Sequence, residues 1–353
     1  MLPDHEERQL IAALRDDPRG GEAVAKETRA MVYATSFRHR ALPLLRAFRP
    51  DAIYERYALH GTAGIALARE LGIPHLLEVN APLSEEHTRH RGSAWAQTLR
   101  AVERRILSGT DHVLAVSAPL RDWIVNAGVD PARVSVLPNG VNIDRFAMSR
   151  DDTRTRLGLD GRAVVGFAGT LKAWHGTETL VRAIALLAGQ RGHEQAPRLL
   201  VVGDGPERER LERLVEQEGI GALVVFTGGV PHDAMPAMLA AMDVAVAPYD
   251  ALPSFYFSPL KLFEYLAAGR AIVAAQIGQI DDVITEGETG LLYPPGDVAA
   301  LANRLATLVD DPDRARGLGR AARRIAGQQH GWERNARAIG ELVARPTVTI
   351  GGA

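Results

Sequence analysis

The stretch 198–229, RLLVVGDGPERERLERLVEQEGIGALVVFTGG, decides the fold. A run of branched apolar residues ends in a Gly-Asp-Gly turn, a segment opened by Pro206 carries apolar residues at helical spacing, and a second apolar run ends in paired glycines. Two strands joined by a helix run parallel, because an antiparallel pair needs only a short turn. The same alternation continues on both sides. Further strands are predicted at 163–169, 243–249, 271–275 and 289–293, with helices at 176–190, 232–242, 259–268 and 298–309. The expected class is α/β, a doubly wound parallel sheet covered on both faces. Ligands in such sheets bind beyond the carboxyl ends of strands, so phosphate-binding loops are expected after residues 169, 205 and 229. The pairs Gly166/Gly169 and Gly203/Gly205 do not complete the three-glycine dinucleotide fingerprint, which argues against a nicotinamide-type site.

The first half repeats the pattern, with strands predicted at 51–57, 74–80, 112–117 and 134–140. Residues 1–50 read as helix on either side of DPRGG, with no strand. Two Rossmann-like domains are expected: 1–145, with an incomplete or divergent start, and 146–330. A helix and tail over 331–353 would cross back to the first domain. The polar, turn-rich segment 141–161 suits a hinge, and a cleft between two such domains is the default ligand site.

Working outward, 255–269 reads FYFSPLKLFEYLAAG. Ser258 is expected as N-cap and Pro259 as first helical residue, where a missing N–H costs nothing. Helix-end amides and Lys261 together would hold a phosphate, and Glu264, one turn on, would accept hydroxyl hydrogen bonds. Phosphate plus hydroxyls describes a nucleotide or nucleotide sugar; an ordinary amphipathic helix is the other reading. Lys261 is one of only three lysines, with Lys26 and Lys172, among 41 basic residues, so a compact ammonium here stands out against a chain that otherwise uses arginine.

At 353 residues, with 46% hydrophobic and 24% charged, the chain suits about two soluble domains. A net charge of −2 gives no global attraction to nucleic acid. With no cysteine, thiolate catalysis and cysteine metal sites are excluded. No span-length apolar run or signal-type N-terminus is present, so a cytoplasmic chain is expected, at most peripheral to the inner face of a membrane.

Five ordered segments resemble the retaining, nucleotide-sugar-dependent GT-B glycosyltransferases called family 4 or group 1. They are SAPLRDWIVNAGVDPARVSVLPNGVNIDRF (117–146), VVGFAGTLKAWHGTETLVRAI, LLVVGDGPERERLERL, VFTGGVPHDAMPAMLAAMDVAVAPY and SPLKLFEYLAAGRAIVA. The resemblance runs from about residue 40 to 340. It implies that Glu264 binds the ribose hydroxyls, that amides around Phe257, Ser258, Pro259 and Leu260 meet the diphosphate and sugar, and that Lys261 neutralises the leaving diphosphate. Gly229 and Val230 would hold the base through the backbone, beside a loop of Gly203, Gly205 and Pro206. The implied donor is a nucleoside diphosphate sugar, and the implied acceptor a hydroxyl on a carbohydrate, lipid or small molecule. Neither cofactor nor metal is implied, and no metal-ligand spacing of His, Asp and Glu is seen.

The sequence departs from the family in four places. A frequent second glutamate is here Tyr256, whose hydroxyl is expected to donate to a sugar. The Arg and Lys that bind phosphate beyond Gly169 fall at Thr170 and His175; Lys172, between them, either substitutes or is a solvated loop residue. A first-domain histidine is absent where Asn80 stands, and Asn80 and the nearby His87 are candidates for sugar or acceptor contact, the alternative being ordinary loop roles. The usual opening strand and glycine loop are missing before residue 51. Either the chain begins downstream of a longer start or residues 1–50 replace it, and an exposed sheet edge is expected in consequence.

Residues 93–108 form a basic amphipathic pattern, with Trp95, Leu99, Val102 and Ile106 on one side and Arg100, Arg104 and Arg105 nearby. It suits either peripheral contact with anionic lipid or packing on the chain's own sheet. The expected function is transfer of a hexose-type sugar to an acceptor hydroxyl with retention. The alternatives are a nucleotide-sugar epimerase of this fold and a non-catalytic nucleotide-sugar-binding protein.

Overall fold

The computed structural model describes residues 21–91, 96–146, 153–252 and 255–344. The ten expected strands are present as β1 Ile53–Arg56, β2 His75–Val79, β3 His112–Ala115, β4 Val134–Val136, β5 Val164–Ala168, β6 Arg198–Val202, β7 Val224–Gly228, β8 Val244–Ala247, β9 Ala271–Ala275 and β10 Leu291–Tyr293. The chain divides into two compact units. The first is Met1–Pro138 with Tyr256–Ser258 and Ala336–Ala353, and the second is Asn139–Phe255 with Pro259–Asn335.

The first unit holds a four-stranded parallel sheet in the order β1-β2-β3-β4. Every residue of β2 is buried, as a strand covered on both faces requires. One face is closed by the helix Ala96–Gly109, whose Leu99, Ile106 and Leu107 are buried. The apolar stripe considered for lipid is thus the stripe that packs on the chain's own sheet, while Arg100, Arg104 and Arg105 stay exposed. Trp95 lies outside the described residues. Glu103 is buried on the same helix because its carboxylate accepts from Tyr57 Oη at 2.9 Å and from the amide and hydroxyl of Ser84. The other face takes Ala338, Ile339, Leu342 and Val343 of the helix Trp332–Val343 against Leu76, Leu114 and Leu137. Among the described residues β1 is an outer strand, with Tyr54 42% exposed. The helix Gly21–Phe48 precedes it, and the part of the N-terminal helical reading before residue 21 lies outside the described residues.

The second unit is a six-stranded parallel sheet in the order β10-β9-β8-β5-β6-β7. The chain builds outward from β5 through β6 to β7, then returns to the other side of β5 for β8, β9 and β10. The loops after β5 and β8 therefore leave the sheet on opposite sides of one junction, the topological switch point where open α/β sheets bind ligands. β5, β8 and β9 are wholly buried, so the rigid centre of the unit carries these two loops. Asn139–Phe146 belongs to this unit: the Val141 amide donates to the His330 carbonyl at 2.8 Å, and Gly140 leaves room for Trp332, whose ring a Cβ would meet at 2.8 Å.

Candidate active site

The loop after β5 begins at Gly169, held in the left-handed half of backbone space at φ 147°. Its amide donates to the Val202 carbonyl at 2.9 Å and that of Leu171 to the Asp204 carbonyl at 2.9 Å, locking it to the loop after β6. Glycine is required for that approach, since a Cβ on Gly203 would lie 2.0 Å from the Gly169 oxygen and one on Gly205 2.4 Å from the Leu171 oxygen. The two loops form one unit of exposed backbone at the strand ends.

The helix Leu260–Ala267 follows β8. Pro259 sits at the cap position with φ −79° and ψ 83°, and no side chain caps the end. The expected capping by Ser258 is therefore corrected: its hydroxyl is buried and makes no hydrogen bond among the described residues. Position along the junction is set by Tyr265, whose phenol oxygen accepts the Ala168 amide at 2.8 Å and donates to the Ala168 carbonyl at 3.3 Å.

One turn before Tyr265, Lys261 reaches Gly169, where a Cβ would stand 3.0 Å from its Nζ. The ammonium lies 4.2 Å from the centroid of Phe167 and 4.9 Å from that of Tyr249. Nζ is buried and has no hydrogen-bond partner among the described residues. Burial pushes its pKa down to about 7, opposed by the Glu264 carboxylate. Burial pushes the Glu264 carboxyl upward, while His232, Arg145 and Lys261 pull it down. Arg145 also pairs with Asp233 at 2.6 Å, tying the 144–146 turn to the loop after β7.

His175 ends the short turn Ala173–His175. Its Nδ1 bonds the Thr170 carbonyl, and its ring lies 5.5 Å from Tyr249 and 5.9 Å from both Phe167 and Trp174. Burial and the Lys261 charge push its pKa down to about 4, so the imidazole is neutral at pH 7. Lys172 holds its Nζ 4.7 Å over the Trp174 ring. Thr170 and Pro206 are exposed, as is Gly229, and Val230 is half-buried just beyond β7.

The second unit thus brings Gly169, Thr170, Lys172, His175, Gly203, Gly205, Pro206, Gly229, Val230, Pro259, Leu260, Lys261 and Glu264 to the carboxyl ends of one sheet. Tyr256, Phe257, Ser258, Asn80 and His87 belong to the first unit. There the Tyr256 hydroxyl, expected to donate to a sugar, donates to Glu86, and its carbonyl accepts from Ser117 Oγ. The Asn80 amide donates to Glu78 at 2.6 Å. Burial pushes Glu78 up, but hydrogen bonds from Asn80, Tyr54 and Arg56 outweigh it and hold the carboxyl below its usual range. His87 is half-buried on the helix Leu83–Arg91.

Sequence reasoning missed Phe167 and Tyr249 as the walls around Lys261, Tyr265 as its anchor, and His232 and Arg145 as neighbours that pull the Glu264 carboxyl down. An aromatic residue near the end of each central strand was the available signal. Among the described residues no group of three or more His, Asp or Glu is placed to hold a metal ion.

The chain matches the family model described as glycosyl transferases group 1 over residues 162–311 and that described as glycosyltransferase family 4 over residues 4–145. It is 28% identical over 342 residues to glycogen synthase of Mycobacterium tuberculosis, covering 95% of this chain and 79% of that one. It is 30% identical to the GDP-mannose-dependent alpha-(1-6)-phosphatidylinositol monomannoside mannosyltransferase of Mycolicibacterium smegmatis, covering 79% and 72% of the two chains. The crystal structure of Anabaena HepE in complex with UDP shares its fold at a TM-score of 0.73 and 21% identity, over 97% of each chain. The chain belongs to the group 1 glycosyltransferases and has the GT-B fold.

Proposed function

We propose that this glycosyltransferase moves a hexose-type sugar from a nucleoside diphosphate to an acceptor hydroxyl with retention of anomeric configuration. The observation that carries the reading is the buried, unpartnered ammonium of Lys261 at the switch point. A buried charge without a partner costs several kcal/mol, roughly, and is kept where a ligand supplies the counter-charge. The helix end beside it and the glycine backbone opposite suit a diphosphate. Glu264, whose carboxyl burial raises against the opposing pull of His232, Arg145 and Lys261, suits two ribose hydroxyls.

In the reaction, the bond between the anomeric carbon and the diphosphate oxygen breaks as negative charge grows on that oxygen. Lys261 meets that charge in a dry site, where one ammonium acts more strongly than in water. Lys172, on the neighbouring loop, is the second cation within reach of the same site. Retention rests on the family resemblance, in which the acceptor hydroxyl approaches on the face the diphosphate leaves. The mannosyltransferase relative uses GDP-mannose and HepE was solved with UDP, so both bases belong in the test.

Incubation with labelled UDP- and GDP-sugars and candidate acceptors tests the reading. Acceptor-dependent release of nucleoside diphosphate with an α-linked product from an α-linked donor supports it. Acceptor-independent conversion would indicate an epimerase, and binding without turnover a non-catalytic role. Metal chelation is expected to leave turnover unchanged.

A further inference from the structure

His175 stands where family resemblance places a phosphate-binding cation, and its surroundings suit a different task. The Thr170 carbonyl can only accept, so the proton on the ring sits on Nδ1 and Nε2 presents a bare lone pair. The ring cannot readily turn over. It is packed against Phe167, Trp174 and Tyr249, and the backbone behind it is pinned at Gly176, φ 63°, where a Cβ would fall 1.8 Å from the Pro248 oxygen.

The charges that bear on His175 are those of Lys261 and Lys172, both positive. A further proton on the ring would add a third cation to that group. Phosphate oxygens at neutral pH are acceptors, so a bare nitrogen lone pair gains nothing from facing them. A hydroxyl is the group it can bind.

His175 shares two aromatic neighbours, Phe167 and Tyr249, with Lys261. Lys261 is also the charge that both Glu264 and His175 feel. With ribose at Glu264 and diphosphate at Lys261, the part of the donor left for His175 is the sugar.

We infer that His175 is a sugar-recognition residue, its Nε2 accepting a hydrogen bond from a hydroxyl of the transferred hexose, and is not a phosphate ligand. The inference rests on the donor-site reading above. It makes Lys261 the principal buried cation for the leaving diphosphate and assigns to His175 discrimination among donor sugars.

Calorimetric titration of UDP, GDP, UDP-glucose and GDP-mannose into the unaltered chain, His175→Asn, His175→Gln and His175→Lys tests it, with thermal melting to verify folding. Asparagine keeps a δ-side donor but lacks a group at the ε position, which glutamine retains. The expected result is that His175→Asn binds UDP and GDP like the unaltered chain, yet loses about tenfold in affinity for the matching nucleotide sugar, one hydrogen bond's worth. His175→Gln should keep most of that affinity, and His175→Lys should lose it. If His175→Asn instead weakens UDP and GDP themselves and His175→Lys restores them, His175 is a phosphate ligand and the inference fails. It fails equally if all three variants bind nucleotide sugars unchanged. Failure of the unaltered chain to bind any of the four compounds would overturn the donor site itself, and this role with it.

Discussion

The phenol oxygen of Tyr265 accepts the amide proton of Ala168 at 2.8 Å, fastening the helix that carries Lys261 and Glu264 to the last residue of β5. β5 pairs with β8 only at Val165 and Gly166, so beyond Gly166 the amide of Ala168 has no β8 partner on that side. Tyr265 supplies what the ladder lacks. Tyr265→Phe should leave that buried amide unsatisfied and cost about 1–3 kcal/mol. Urea denaturation reads the stability change, and nucleotide titration should show weaker binding in the same variant.

If the proposed donor site holds, Lys261 should couple nucleotide binding to pH. Its pKa in the free protein is depressed to about 7, well below that of an exposed lysine, so between those values the unfolded chain binds more protons than the folded one. Stability should therefore rise with pH above 7 through this group. Nucleoside diphosphate binding favours the ammonium, so affinity should fall as pH climbs from 7 to 9, with proton uptake on binding. Calorimetry in buffers of different ionisation enthalpy measures that uptake, and Lys261→Met should abolish it.

The same substitution separates folding from function. Removing an unpaired buried charge should raise unfolding stability by roughly 0.5–2 kcal/mol while nucleotide binding is lost. A destabilised Lys261→Met protein would show that the ammonium has a structural partner after all.

The two glycine loops differ in tolerance. Gly203→Ala sets a Cβ 2.0 Å from the Gly169 oxygen at φ 134° and should destabilise by about 1–3 kcal/mol while disrupting diphosphate binding. Gly229 has open space at its Cβ position and no left-handed φ, so Gly229→Ala should melt like the unaltered chain. Any loss of affinity in it reports on the base site alone.

Tyr256→Glu introduces the glutamate that the family resemblance leads one to expect at this position, yet here it should impair the chain. The Tyr256 hydroxyl donates to Glu86, and a carboxylate in its place would face another carboxylate. Pairing it with Glu86→Gln should recover part of the lost stability, as a double-mutant cycle would measure.

Local pattern was enough to read the strands, because each parallel strand is a short apolar run closed by Gly, Pro or Asn and followed by a helical repeat. The helix at 260–267 was legible for the same reason, and only its cap was misread: Pro259, not Ser258, takes the boundary. The amphipathic stripe of Leu99, Val102 and Ile106 had two physically sound readings, lipid or core. Periodicity identifies an apolar face without naming what covers it.

The sequence by itself determined two parallel α/β units, the glycine turns at their strand ends, and a lysine and glutamate one helical turn apart. Strand order lay outside its reach, because β5 and β8 lie far apart along the chain and meet only when the sheet forms. That junction sets Lys261 between Phe167 and Tyr249 and leaves its ammonium without a hydrogen-bond partner among the described residues. Burial and long-range contact decide whether an ammonium is a solvated surface charge or an anion site, and those are properties of the fold.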